Sequence, residues 1–534
     1  MNEGDQLYYG GDIYTVDDEN PTEEAVAVSN GKILGVGSKS YCESILGSGY
    51  QSIDLKGNAM LPGFIDTHLH PLLMVYFDMN INLHGIGSMK ELQEKLGAAE
   101  REKEPELWVL GLNFDEQSFD RPQVPTRHDL DRACPGRPAL VVRHDGHMVI
   151  ANTMAIEASG ISRETPDPDG GTIDREPDGS PAGPFRENAV PLVLSKMPLP
   201  DEKTIIEGAQ LSFNRLSRLG ITSAGIILQT DEEGPAGAVG AYDVPLMQML
   251  LEYVKINLYS LITTTDIDTA TELLKSPLHQ PAFGVRRVGA IKLHSDGTFG
   301  SATAFMREPF ADYPETRGYL KVSADELYRV MVDAHRANFQ IAIHAIGDAA
   351  NRTCVDLYER LLREYPRADH RHRLEHASVL DPEVISDMAR LGIVASVQPM
   401  FIHSEKDWLH RRLGKERLKW VYPFRSLLEA GVRVAGASDA PVESIDVLHA
   451  LQCCVTREGF EPQECVTPEQ AVRMFTIDAA YAQFEESVKG SIAEGKRADF
   501  VVLDRNPVRV KPDEIVSIRV VKTIIGGEPV YSAV

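Results

Sequence analysis

Between residues 60 and 437 the chain alternates β-type runs with amphipathic helical segments, and this rhythm leaves few folds open. Met60–Ile65, Ile221–Ile226, Lys255–Ile262, Val288–Leu293, Gln340–His344, Arg373–His376, Ile393–Gln398 and Val432–Ala437 are short apolar runs that read as strands. Helical stripes separate most of them. Thr204–Gly220 lines up Ile205, Ile206, Ala209, Phe213 and Leu216 before a stop at Gly220, and Asp325–Asn338 puts Leu327, Val330, Met331 and Ala334 on one face. Pro245–Tyr253, Pro382–Leu391 and Arg425–Ala430 are the other helical segments. Alternating strands and helices predict an α/β fold with a parallel sheet, and eight repeats close most simply into a (β/α)8 TIM barrel. An open doubly wound sheet would usually carry a Gly-rich first turn, which is absent here.

About 150 residues separate the first and second strands, far beyond ordinary loop length, so a large insertion follows strand one. Both chain ends read as short strands with turns: Asp12–Val16, Ala25–Ser29 and Lys32–Val36 at one end, Asp499–Leu503 and Ile518–Ile525 at the other. They are expected to meet in one small β-sandwich, because domain termini often lie close together. The expected organisation is residues 1–58 as the first part of that sandwich and 59–455 as the barrel, with 72–200 inserted. Residues 456–488 form a helical connection and 489–534 complete the sandwich.

Composition narrows the partners. With 54 Lys and Arg against 79 Asp and Glu, the net charge of −25 repels phosphate backbones and anionic lipid, so neither nucleic acid nor membrane is expected as a partner. Six scattered cysteines without a CxxC pair read as reduced thiols. MNEGDQLYYGGDIYTV has neither a basic start nor an apolar core, and no window approaches about 18 apolar residues. A cytoplasmic protein is the expectation.

The strand ends are specific in residue type. Strand one runs into Asp66-Thr67-His68-Leu69-His70, where His68 and His70, two apart on extended chain, point to one side and can grip one cation. Strand four ends at Lys292, strand five at His344, strand six at His376, and strand eight reaches Asp439. In a parallel barrel all these ends share one rim, where such folds do their chemistry. A lone histidine there is ordinarily a hydrogen-bonded rim residue, and Lys292 or Asp439 alone would serve a salt bridge or a turn. Six metal-type residues at five strand ends are a different matter. An ammonium among divalent cations would be repelled, so Lys292 has to be displaced, neutral or chemically altered. Addition of carbon dioxide gives a carbamate, an anionic bidentate group able to bridge two cations.

The strings LPGFIDTHLHP, IKLHSDGTFGS, IAIHAIGD, RLEHAS and GASDAPV resemble the amidohydrolase superfamily, in particular the amidohydrolase family 3 branch with its N-substituted formamide deformylases. PELWVLGLNFDEQSF and VVRHDGHMVIANTMAI resemble the branch's inserted subdomain, and GSIAEGKRADFVVLDRNP its return into the small sandwich. The resemblance implies a metal-dependent hydrolase of a non-peptide C–N bond, in an N-acyl or N-formyl amine or a cyclic amide, attacked by a metal-bridging hydroxide. His68 and His70 would hold the more buried ion, His344 and His376 the more exposed one, and the Lys292 carbamate would bridge them. Asp439 would ligate the buried ion and act as general base. Imidazole and carboxylate donors suit zinc first, with manganese, iron or nickel open. Same-site lactonase, esterase or aminoheterocycle deaminase activity is the alternative, then an inactive regulatory relative. Gly347 and Asp348 stand where mononuclear deaminases carry a Glu, which argues against adenosine- or cytosine-type deamination. The partner is a small-molecule substrate, and a homodimer is left open.

Four further residues are substrate-binding candidates. His294 lies two residues after Lys292, so alternation puts it on the same side. Gln398 and His403 follow strand seven near the mouth. His147, in His144-Asp145-Gly146-His147, is a pocket residue by resemblance, although Asp-Gly is equally a turn signal.

Overall fold

The computed structural model describes residues 5–83, 85–102, 107–143, 148–168, 170–187, 189–198, 200–231 and 237–533. Two compact units emerge, Met1–Leu72 with Phe213–Val534, and Leu73–Ser212. The first contains eight strands: β1 (Phe64–Leu69), β2 (Ile221–Gln229), β3 (Asn257–Thr263), β4 (Arg286–His294), β5 (Gln340–Ala345), β6 (Arg373–His376), β7 (Val394–Val397) and β8 (Val434–Gly436). They pair in parallel in sequence order. Beyond β8 the Asp439 N–H donates to the His68 carbonyl at 2.8 Å, and the His70 N–H donates to the Ala440 carbonyl at 2.8 Å. Those bonds bring the eighth strand's continuation back to the first, and the sheet is the TIM barrel that the alternation predicts.

The apolar run Met60–Ile65 proves to span two strands. Ala59–Pro62 pairs with Phe500–Leu503 and with Gln6–Tyr14, whereas the barrel begins at Phe64, past Gly63. Periodicity could not divide them, because both segments are buried on every side chain. The strands of both chain ends form one eight-stranded sheet in the order Glu528–Ser532, Val520–Ile525, Phe500–Leu503, Ala59–Pro62, Gln6–Tyr14, Thr22–Ser29 and Lys32–Gly37, with Gln51–Asp54 also beside Gln6–Tyr14. One apolar cluster takes Tyr8, Val26 and Val28 from the N-terminal strands and Phe500, Val502 and Ile524 from the C-terminal ones.

Local signals set the helices between barrel strands. Ala324–Arg336 starts at a capping box, with Ser323 Oγ accepting from the Glu326 N–H and the Glu326 carboxylate accepting from the Ser323 N–H. Pro382–Leu391 opens on the Asp381 cap and stops at Gly392, whose φ of 71° suits a residue without a side chain. Inside the barrel Ile227, Tyr259, Leu261, Ala290 and Ala342 form one apolar layer. Alternation puts Lys292 above Ala290 and His344 above Ala342, on top of that layer.

At the opposite end of the barrel three histidines form a neutral relay. His372 Nδ1 accepts from the Ile341 N–H at 3.0 Å, so its Nε2–H donates to His335 Nδ1 at 2.9 Å, and His335 Nε2–H donates to the Tyr365 carbonyl at 2.9 Å. His370 accepts from the His372 N–H and donates to the Leu391 carbonyl. Burial, with the charge of Arg367 adding to it, lowers the pKa of His335 and His370 and holds His372 well below its ordinary value. On acidification the unfolded chain therefore takes up protons that the folded rings refuse. Stability is present above about pH 6.5 and is expected to drain away as pH falls below it. Denaturant midpoints measured from pH 7 downward check this, and the dependence should shrink in His372→Gln.

The second unit, Leu73–Ser212, is built on a six-stranded sheet in the order Gly171–Arg175, Pro181–Glu187, Met148–Ala151, Ala139–Arg143, Val109–Phe114 and Ile81–Asn82. Two apolar clusters form its core, one around Phe114 and Leu130, the other around Trp108 and Phe185. Asn152 ties it together, donating to the Cys134 and Arg137 carbonyls and accepting from the Ala139 and Ala155 N–H groups. All six cysteines are free. Among the described residues no helix is long and apolar enough to cross a membrane.

Candidate metal centre

His68, at the C-terminal end of β1, is fixed from behind. Its Nδ1–H donates to Glu375 Oε2 at 2.5 Å, and the buried Arg373 guanidinium grips the same carboxylate at 2.6 and 3.0 Å. Arg373 also donates to the Thr67 carbonyl and to Ser396 Oγ. Burial opposes ionisation of Glu375, but Arg373 and His68 hold its carboxyl well below the usual range. With Nδ1 committed as a donor, the neutral His68 ring presents a lone pair at Nε2. That lone pair faces Asp439 Oδ1 at 3.2 Å, and His70 Nε2 lies 3.1 Å from the same oxygen.

Donor atoms of His68, His70 and Asp439 therefore converge on one point, all within 4.8 Å of one another. The lone pairs of His68 Nε2 and Asp439 Oδ1 repel unless a proton or a cation stands between them. A proton is one solution: despite burial, Asp439 and Glu375 raise the pKa of His68. A metal ion is the other, and the donor types suit it. Burial opposes the charge on Asp439 too, yet His68 and His70 hold its carboxyl well below the ordinary value.

The other barrel residues close around this point. The His376 ring lies 5.1 Å from His68 and 4.5 Å from His344, centroid to centroid, and His294 lies 5.7 Å from His344. His376 Nδ1–H donates to Gln398 Oε1 at 2.8 Å, which leaves Nε2 as a free donor to a cation. Burial lowers His376 to about 3 and holds His344 well below the ordinary value, with His376 and Lys292 adding to the effect on His344. Both rings are thus neutral at physiological pH, the form that ligates metals. Burial and the charges of Lys292 and His344 hold His294 well below its ordinary value as well. Lys292 is buried and pushed down to about 8 by that burial, against the attraction of Glu375 and Asp439.

Two strand-end residues adopt left-handed backbone. Glu375 points inward to His68, so alternation would send the next ring, His376, out of the barrel, but its φ of 70° turns it back in. Asp439 has a φ of 62°. Gly347 explains why no Glu occupies that position: a Cβ there would lie 2.0 Å from the Phe305 carbonyl oxygen.

Of the residues singled out from sequence, His68, His70, Lys292, His344, His376, Asp439, His294 and Gln398 come together. His403 does not. It sits on the helix Met400–Glu405, two residues past Phe401, whose ring packs 6.2 Å from His376. Two helical residues turn about 200°, so His403 faces away and pairs with Glu458 at 2.8 Å. His147 lies outside the described residues. Sequence reading also passed over four buried supports. Arg373 and Glu375 are two of these. Asp66 accepts from the His68 and Ser438 N–H groups, leaves Oδ2 without a partner, and is raised to about 6 by burial. Asp296 accepts from the Phe305, Ile346 and Gly347 N–H groups and lies 3.5 Å from His344 Nε2. Alternation was the available signal for the first three, since Arg373 and Glu375 share a face within a strand and Asp66 precedes His68 by two.

A parallel barrel whose rim gathers neutral imidazoles, a carboxylate and a buried lysine belongs to the class of metal-type hydrolytic barrels. The chain is a member of the amidohydrolase family, whose profile matches residues 51–531. It is 32% identical to the protein YtcJ of Bacillus subtilis (strain 168), over 98% of this chain and 99% of that one. It is 30% identical to the N-substituted formamide deformylase of Arthrobacter pascens, over 98% and 97% of the two chains. A crystal structure of an uncharacterized metal-dependent hydrolase from Pyrococcus furiosus superimposes with a TM-score of 0.77 at 26% identity, covering 95% of this chain and all of that one.

Proposed function

We propose that the protein is a metal-dependent hydrolase of a non-peptide C–N bond, with an N-formyl or N-acyl amine as the favoured substrate class and a cyclic amide next. One observation carries the reading: the Nε2 atoms of His68 and His70 both lie within 3.2 Å of one Asp439 oxygen, a set of two imidazoles and a carboxylate that suits a divalent cation. His68, His70 and Asp439 would hold the buried ion and His344 and His376 a second, and these donor types favour zinc in both places. Lys292 as its carbamate would bridge the two. Its pKa of about 8 supports this, because only the neutral amine adds carbon dioxide. Divalent ions held there supply a nucleophile from water at neutral pH and polarise the substrate carbonyl.

The chain's own residues do the rest. Asp439, ionised, takes a proton from the attacking water and passes it to the departing nitrogen, without which the amine is a poor leaving group. Glu375, clamped by Arg373, fixes the His68 tautomer, and Gln398 does the same for His376. His294 lines the same wall. Phe401, stacked on Tyr422 with ring centroids 6.4 Å apart, offers an apolar face to the amine substituent. The similarity to the formamide deformylase favours the formyl substrate over lactones, esters and aminoheterocycles.

Purified protein loaded with zinc and bicarbonate should release amine and formate or carboxylate from such amides. Turnover of only lactones or aminoheterocycles would overturn the substrate class. Lys292→Ala is expected to abolish both turnover and the carbamate resonance seen by NMR with isotopically labelled bicarbonate; a wild-type spectrum without that resonance would remove the carbamate.

A further inference from the structure

We propose a second, structural zinc-type site, separate from the barrel centre, formed by His403, His449 and Glu458 with Cys453 as a fourth donor. His403 Nδ1 lies 2.8 Å and His449 Nε2 3.3 Å from one oxygen, Glu458 Oε1. Donor atoms of the three residues fall within 4.8 Å of one another. Donors around a tetrahedral zinc stand about 3.3–3.5 Å apart, so little adjustment brings the set onto one ion. Cys453 Sγ stands 3.8 Å from the same oxygen but outside that three-residue group, so it joins as a fourth donor only by turning its side chain toward the two imidazoles.

The local sequence builds this arrangement. His449 and Cys453 are four apart on the helix Val447–Thr456 and share one of its faces. Arg457 and Glu458 then adopt left-handed backbone, with φ of 49° and 48°, and this reversal folds the Glu458 carboxylate back over the helix that precedes it. Left-handed conformation at two successive residues other than glycine is costly and marks an imposed geometry. His403 arrives from the helix Met400–Glu405. The positive charge now facing Glu458 is Lys406, 3.3 Å from Oε2 and also 3.1 Å from Asp407, so a cation can displace it without stranding the ammonium.

Mixed imidazole, carboxylate and thiol donors suit zinc over magnesium or calcium. Four protein donors close the coordination shell, which fits a structural rather than a catalytic ion. Such an ion would lock Met400–Glu405, the helix bearing Phe401, to Val447–Thr456, and so steady one wall of the barrel centre.

The test uses the full chain, stripped by chelator and reloaded with cobalt(II). None of the residues proposed to hold the barrel ions is a cysteine, so a sulfur-to-cobalt charge-transfer band in the near ultraviolet that Cys453→Ser abolishes and Cys354→Ser leaves in place reports this site. Elemental analysis should find one metal ion fewer per chain in His403→Ala/His449→Ala than in the wild type. Metal loss without a thiolate band would keep the three-donor site and remove Cys453 from it. Wild type without the band, together with unchanged metal content in the double variant, would overturn the proposal. If that variant fails to fold, Glu458→Gln read by the same metal count decides. Failure here leaves the reading of the barrel centre untouched.

Discussion

Asp439→Asn is expected to lower kcat for amide hydrolysis by about 10²–10⁴-fold, the range typical of losing a general acid–base group. The amide keeps the shape of the carboxylate but can neither accept a proton nor bring the negative charge that draws His68 and His70 onto one oxygen. Metal content should fall with turnover, since one ligand is weakened. Single-turnover rates with saturating zinc separate the two effects: the remaining loss belongs to proton transfer. Activity within a few fold of the wild type under those conditions would remove Asp439 from the role of base.

Arg373→Met carries the largest expected loss of stability, about 3–5 kcal/mol. Both members of the Arg373–Glu375 pair are wholly buried, and removing the cation strands a carboxylate inside the barrel. Urea denaturation reads the change as a lower midpoint at similar slope. Glu375 would then take up a proton at neutral pH, and His68 would lose the acceptor that sets its tautomer. Weakened metal affinity should therefore accompany the lost stability. The paired change Arg373→Met/Glu375→Gln removes both charges, and it should recover part of the stability without recovering metal affinity. A variant as stable as the wild type would mean that the guanidinium is not what holds Glu375 ionised.

Much of this architecture is readable from pattern, and the misses have physical causes. The eight barrel strands follow from hydrophobic runs separated by helical stripes, because strand and helix impose different periods on the same core. Met60–Ile65 blurred two strands since full burial erases alternation. His68, His70, Lys292, His344 and Asp439 could be found from their places at strand ends. His376 is instructive: it was chosen for its strand end, yet strict alternation would have turned it outward, and only its left-handed φ brings it into the group. His403 failed for the converse reason, since proximity in sequence to strand seven says nothing about which side of the following helix a residue occupies. Arg373, Glu375 and Asp66 went unremarked although alternation puts each on an inward face, because only the partners show what a buried charge there does; Asp296 lies beyond its strand, where alternation gives no signal.

The seam at Ala59–Pro62 has a consequence for biogenesis. This strand leads directly into the first barrel strand, yet one of its neighbours, Phe500–Leu503, leaves the ribosome only after the entire barrel has been translated. Until then its open edge is a template for pairing with other chains. Nascent molecules stalled before residue 500 should accordingly depend on chaperones and aggregate readily. A short C-terminal deletion should prove more damaging than its distance from the barrel rim suggests.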